Sequence, residues 1–292
     1  MERNWMELLA QAPEALADEA SALLIEAGAS AVERREGAAG AVFLVTHFEM
    51  RAGAAARMRA AEAALADLGI PPGAIAVRLI EDEDWVSRSR GAFPPQAHGE
   101  RLWLRPPWSD EAPPPGRAEI VLEPGRAFGT GRHPTTRLCL EALDRLCADS
   151  PPARFLDLGC GSGILSAAAL KLGAGRALAL DLDPDAVESA RELARRNGLA
   201  DRLTAAGGTL EPAALGDWWG RVDLLAANIF LGPLRALAPR MAEALAPGGR
   251  GVLSGIGYEQ ADALAEAAEA AGLTVRARLR LEEWAALEIS RG

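Results

Sequence analysis

From about Glu119 onward, short apolar runs alternate with longer amphipathic stretches. That alternation predicts a parallel sheet with helices packed on both faces. Strands are expected over Arg154–Asp157, Ala177–Asp181, Val222–Ala227 and Arg250–Ser254. Helices are expected over Pro134–Cys147, Ile164–Leu172, Pro184–Arg196, Pro233–Leu245 and Tyr258–Ala271. Pro184 and Pro233 fall in first turns, where a missing N–H removes no intrahelical bond. The tail, Leu273–Leu281 followed by Trp284–Ser290, has the pattern of an antiparallel hairpin.

The first 80 residues follow a different order. A strand near Trp5–Leu9 precedes a helical stripe over Pro13–Ala27 that stops at Gly28. Short strands at Ala31–Val32 and Ala41–Thr46 flank the Gly37–Gly40 turn. A helix over Ala54–Leu68 ends at Gly69 and Pro71-Pro72, and Ile75–Ile80 is a last strand. This β-α-β-β-α-β order is the ferredoxin-like pattern. The division expected is therefore 1–80 as a small separate domain, 81–115 as a proline-broken linker, and 116–292 as the large α/β domain.

At 292 residues the chain has room for one large domain and a small one, and it is 49% hydrophobic. It shows neither a cationic start followed by an apolar run nor a membrane-length apolar stretch, so a cytoplasmic protein is expected. Cys139, Cys147 and Cys160 lack metal-ligand spacing, which fits a reducing compartment and no metal. A formal net charge of −10 argues against a partner gripped through nucleic-acid phosphates and suits a basic protein. Acidity for solubility alone fits equally well. The first 80 residues carry seven Arg against eleven Asp and Glu, a poor composition for clamping RNA.

The chemistry concentrates in Phe155-Leu-Asp-Leu-Gly-Cys-Gly-Ser-Gly163, an apolar strand that runs into an acid and then three alternate glycines. Gly159, Gly161 and Gly163 let the backbone lie close to a ligand and turn into a helix. Asp181, at the end of the next strand, is placed to accept hydrogen bonds from ribose hydroxyls. Asp157 would repel the pyrophosphate of a dinucleotide, whereas S-adenosylmethionine presents an ammonium and a sulfonium. Ile164 after Gly163 also breaks the dinucleotide fingerprint. The two acids at successive strand ends thus predict a site for S-adenosylmethionine.

Three further segments bear on that site. Pro124–Thr136 leads into the helix before the glycine strand and offers Phe128, Thr130 and Thr136. Asn228 ends a later strand, where its side-chain oxygen can meet an incoming nucleophile. Gly207-Gly208-Thr209 lies where an adenine would be approached. Taken as residue types, all three also fit structural turns and caps.

The run Ala127–Thr136, the glycine motif from Asp157 to Ile164, Asp181-Leu-Asp-Pro184 and Asn228 resemble the ribosomal protein L11 methyltransferase family (PrmA) of class I methyltransferases. Asp82-Glu-Asp-Trp85 and Trp103-Leu-Arg-Pro-Pro-Trp108 are similar to that family's linker signatures. The resemblance implies donor contacts at Thr136, Gly159, Asp181 and Asn228. It implies transfer of methyl groups to lysine amines and the N-terminal α-amine of ribosomal protein L11, and a small domain that docks that substrate. The expectation for the whole chain is a doubly wound class I methyltransferase sheet with a small N-terminal ferredoxin-like domain, acting as a monomer without direct nucleic-acid contact.

The expected mechanism is direct displacement at the donor methyl. An exposed lysine, with a pKa of about 10.4, must lose its proton first, and removal from water beside a positive charge favours the neutral amine. Asn228 would orient the nitrogen. His133, in a glycine-rich loop, reads as structural. Two other readings stay open: a methyltransferase for another protein, RNA or a small molecule, and a non-catalytic donor-binding assembly factor.

Overall fold

This computed structural model describes residues 5–29, 31–36, 41–49, 54–80, 93–123, 131–148 and 150–292. The chain divides into two compact units, Met1–Ala92 and Phe93–Gly292.

The first unit runs β1 (Trp5–Pro13), α1 (Ala17–Glu26), β2 (Val32–Glu36), β3 (Ala41–Glu49), α2 (Ala54–Asp67) and β4 (Ile75–Ile80). Its sheet order is β2-β3-β1-β4 with every neighbouring pair antiparallel, which is the ferredoxin-like arrangement. Leu8, Leu24, Leu44, Phe48, Leu65 and Ile70 form its core. β1 is longer than its apolar pattern suggests. Ala10–Pro13 remain extended because Ala41–Leu44 supply ladder partners, and the helix therefore starts at Ala17 after one 3-10 turn. Tertiary pairing here outweighs a helical stripe that began at Pro13.

The second unit begins with a three-stranded sheet, β5 (Gln96–His98), β6 (Leu102–Arg105) and β7 (Ala118–Val121). Residues 93–115, read from sequence as part of a linker, carry two of these strands and belong to this unit. Asp144 ties the β5–β6 turn down. Its carboxylate accepts from Glu100 N at 2.6 Å and Arg101 Nε at 2.7 Å. The acidic part of the expected linker, Glu81 to Trp85, lies outside the described residues.

The remaining elements are α3 (Pro134–Leu146), β8 (Arg154–Leu158), α4 (Ile164–Lys171), β9 (Arg176–Asp181), α5 (Pro184–Arg196), β10 (Leu203–Gly207), the single turn α6 (Pro212–Leu215), β11 (Val222–Asn228), α7 (Leu231–Ala244), β12 (Leu245–Gly257), α8 (Ala261–Ala270), β13 (Leu273–Leu281) and β14 (Trp284–Arg291). They build a seven-stranded sheet in the order β10-β9-β8-β11-β12-β14-β13, with β14 antiparallel to both neighbours. The order reverses between β8 and β11, and in open α/β sheets ligands bind outside the carboxyl ends of strands at such a switch point.

Two apolar layers sandwich the sheet. Phe155, Ala177, Ala179 and Leu224 pack with residues of α3, α4 and α5, whereas their chain neighbours Leu156, Leu178, Leu180 and Leu225 pack with α7 and α8. The two-residue period of a strand sends successive side chains to opposite layers. Asp157 shares the face of Phe155 and is therefore carried into the α3–α5 layer.

Candidate functional site

Asp157 ends up fully buried, the fate of a charged residue on the inner face of a central strand. Its Oδ2 accepts from Ser166 N at 3.0 Å and Ser166 Oγ at 2.8 Å. Its Oδ1 is equally buried and has no partner. Burial pushes the carboxyl up from 3.8 to about 7, the Ser166 bonds oppose that rise, and the Asp181 charge adds to it. A buried, half-satisfied carboxylate at a sheet switch point suits a cationic ligand group.

The glycine turn is shaped by contacts from both sides. Gly159 N and Cys160 N both donate to Leu180 O, at 2.8 and 3.0 Å, which joins the turn to β9. Gly159 has φ +70, and a Cβ there would lie 2.3 Å from Ile229 Cγ2. Gly163 has φ +80 and a Cβ would meet Ala190 Cα at 2.9 Å, so only glycine lets α4 start this close to α5. Gly163→Ala is expected to destabilise the protein by about 2 kcal/mol or more. Urea unfolding checks this: a lower midpoint with unchanged slope is the expected result.

Asp181, at the end of β9, spends one lone pair of each oxygen on the turns around it. Oδ2 accepts from Gly161 N at 2.9 Å, and Oδ1 from Asp183 N at 3.0 Å. A carboxylate has about four acceptor sites, so two remain for ribose hydroxyls. Gly207 pairs with Asp181, and Gly208 N donates to Asp181 O at 2.9 Å. The Gly207–Thr209 turn therefore stands beside the same strand end, as an adenine-side wall would.

Asn228 closes β11, the other strand of the switch point. Its Nδ2 donates to Thr136 Oγ1 at 3.3 Å, and its Oδ1 is buried without a partner. Thr136 is fully buried in the first turn of α3. That turn is capped by His133, whose Nδ1 accepts from Thr135 N at 3.3 Å and lies 2.7 Å from Thr135 Oγ1. Burial pushes the His133 pKa down, against the pull of Glu283 and Glu282. The ring also meets Trp284 edge-on, with centroids 4.6 Å apart. His133 is a helix cap, in line with the structural reading of its sequence context.

The structure thus gathers Thr136, Asp157, Gly159, Gly161, Gly163, Asp181 and Asn228 at one edge of one sheet. Phe128 and Thr130 lie outside the described residues. Sequence reasoning missed Ser166, which holds one half of Asp157, and Ile229, which packs over Gly159. Ser166 carried a faint signal as a hydroxyl among the apolar and alanine positions that precede Lys171 in α4; Ile229 carried none. Among the described residues no group of three or more His, Cys, Asp or Glu is placed to hold a metal, and no helix is long and apolar enough to cross a membrane.

Comparison with known proteins finds relatives along much of the chain. The chain is 47% identical over 206 residues to a protein of Chromohalobacter salexigens named ribosomal protein L11 methyltransferase, covering 70% of this chain and 66% of that one. A Shewanella woodyi protein of the same name is 47% identical over 190 residues, covering 65% and 62%. The match therefore spans slightly less than two thirds of these relatives' length. The crystal structure of a ribosomal protein L11 methylase from Lactobacillus delbrueckii subsp. bulgaricus is similar with a TM-score of 0.61 at 33% identity, covering 68% of this chain and 99% of that one. The family model for ribosomal protein L11 methyltransferase (PrmA) matches residues 4–292, and the chain belongs to that family.

Proposed function

We propose that this protein is an S-adenosylmethionine-dependent protein N-methyltransferase that modifies lysine side-chain amines and the N-terminal α-amine of ribosomal protein L11. The observation that carries the reading is the pair of buried, unpartnered oxygens, Asp157 Oδ1 and Asn228 Oδ1, at the carboxyl ends of the two switch-point strands. The first suits the donor's ammonium and the second an N–H of the acceptor amine. Family membership supports the same substrate.

The residues present fit the donor. Asp157 would hold its ammonium, Asp181 its ribose, the Gly159–Gly163 turn its amino-acid end and the Gly207–Thr209 turn its adenine. When bound, S-adenosylmethionine supplies an electrophilic methyl group on a sulfonium. The chain's own contribution is positional. Asn228 is pinned by Thr136, Thr136 by the capped first turn of α3, and Asn228 Oδ1 is left to accept one N–H and aim the amine lone pair. Holding an amine there removes it from water, which favours its neutral, nucleophilic form.

Residues 1–80 are read as the docking unit for the protein substrate, and their excess of acids favours a basic partner. The enzyme is taken to act as a cytoplasmic monomer, without direct contact to nucleic acid. The test is transfer from isotopically labelled S-adenosylmethionine into a ribosomal extract from methylation-deficient cells. Label in the protein fraction at the mass of L11 is the expected result. Label on RNA or metabolites would keep the donor and overturn the acceptor.

A further inference from the structure

Phe230 breaks two local rules at once. It is the most exposed large hydrophobic residue among those described, at 81%. It also occupies the N-cap of α7, where it offers no side-chain hydrogen bond. N-caps favour Ser, Thr, Asp or Asn, whose side chains satisfy a free helix N–H. A residue that neither packs nor caps is retained against the fold's local preference, and such conflicts gather at functional positions.

Its surroundings say what it is for. Ile229 is locked in place: its N donates to Ser254 O at 3.1 Å, and its side chain covers Gly159. Phe230 follows with extended dihedrals (φ −63, ψ 157). Phe230 thus stands two residues beyond Asn228, at the entry to α7, with its side chain in solvent. Leu182 and Tyr258, the other exposed large hydrophobics of this unit, follow β9 and β12. All three therefore mark the same sheet edge. Glu259, Glu282 and Glu283 are exposed at the ends of β12 and β13. The Tyr258 face is already covered by the Arg280 guanidinium, 4.1 Å from its centroid, so among the described residues Phe230 is the exposed aromatic at these strand ends available to a cationic side chain on an alkyl stem.

We propose that Phe230 is a specificity-determining residue that receives the stem and ammonium of the acceptor lysine and delivers its nitrogen to Asn228. The inference rests on the proposed amine acceptor. An aromatic face attracts an ammonium and covers a hydrocarbon stem, worth about 0.5–2 kcal/mol, or roughly 2- to 30-fold in acceptor affinity.

The cap gives the test a signature that a structural role cannot imitate. Phe230→Ser installs a preferred cap and loses little packing, so the melting temperature is expected to rise by about 2–4 °C. At the same time the KM for L11 should rise about tenfold while donor Kd stays within twofold. Phe230→Tyr should keep the wild-type KM. Unchanged acceptor KM in Phe230→Ser, with wild-type enzyme methylating L11 normally, would overturn this inference alone. Wild-type enzyme that binds donor and leaves L11 unlabelled would instead overturn the functional reading on which it rests.

Discussion

Asn228→Ala is expected to lower kcat by about a hundredfold or more while leaving donor affinity within a few-fold of wild type. The side chain is half-buried, with one end fixed on Thr136 at 3.3 Å and the other lacking any protein partner. Its removal costs little packing and deletes the acceptor proposed for the amine N–H. Misplacing a reacting group by about an ångström costs on the order of 10²-fold. Asn228→Asp tests the same point differently. A carboxylate would accept the N–H, but it would also hold the acceptor as an ammonium and so lower the rate at neutral pH. Single-turnover transfer alongside donor titration separates the two effects. Near-wild-type kcat in Asn228→Ala would remove this residue from the mechanism.

The second large effect falls on donor binding. Asp157→Asn keeps the shape and an acceptor for Ser166 and removes the charge. Truncating one side of a buried charge pair costs about 2–5 kcal/mol, so donor Kd should rise by roughly a hundredfold or more. The wild-type carboxyl makes this affinity pH-dependent. Its folded pKa, about 7, lies above its ordinary 3.8 because burial disfavours the charged form. Between those values the free enzyme holds a proton that the unfolded chain has lost. The carboxyl's contribution to stability is therefore full below pH 3.8 and is lost as pH rises through about 7. Donor affinity runs the other way. A cationic ammonium binds the ionised form, so affinity should climb up to about pH 7 and level off above it. Calorimetry in buffers of different ionisation heat should show close to one proton released per donor bound at pH 6, and none in Asp157→Asn. Proton-neutral binding by the wild type at pH 6 would contradict the assignment.

Much of this was legible in the chain because the relevant signals are local. Strand–helix alternation revealed the doubly wound sheet. An acid before three alternate glycines, and a second acid ending the next strand, marked the strand ends that the structure brings together. What escaped the reading depended on distant partners. The strand expected to end at Leu9 runs on to Pro13, and the helix expected from Pro13 starts at Ala17, because Ala41–Leu44 pair with Ala10–Pro13. β5 and β6 hide in a proline-rich stretch because β7 and Asp144 hold them, and neither is adjacent in sequence. Ser166 acquires its role only when the strand period carries Asp157 into the layer of α4. Asn228 was placed correctly at a strand end, yet the Thr136 bond that fixes its orientation spans 92 residues.

The most direct test of the whole account is peptide mass spectrometry of purified ribosomal protein L11 after incubation with this enzyme and S-adenosylmethionine, run in parallel with Asn228→Ala. The account predicts mass increments of one or more methyl groups confined to lysine side chains and the amino terminus with wild type, and their near-absence with the variant at matched donor occupancy. Unmodified L11 under conditions where the wild-type enzyme is saturated with donor would contradict it.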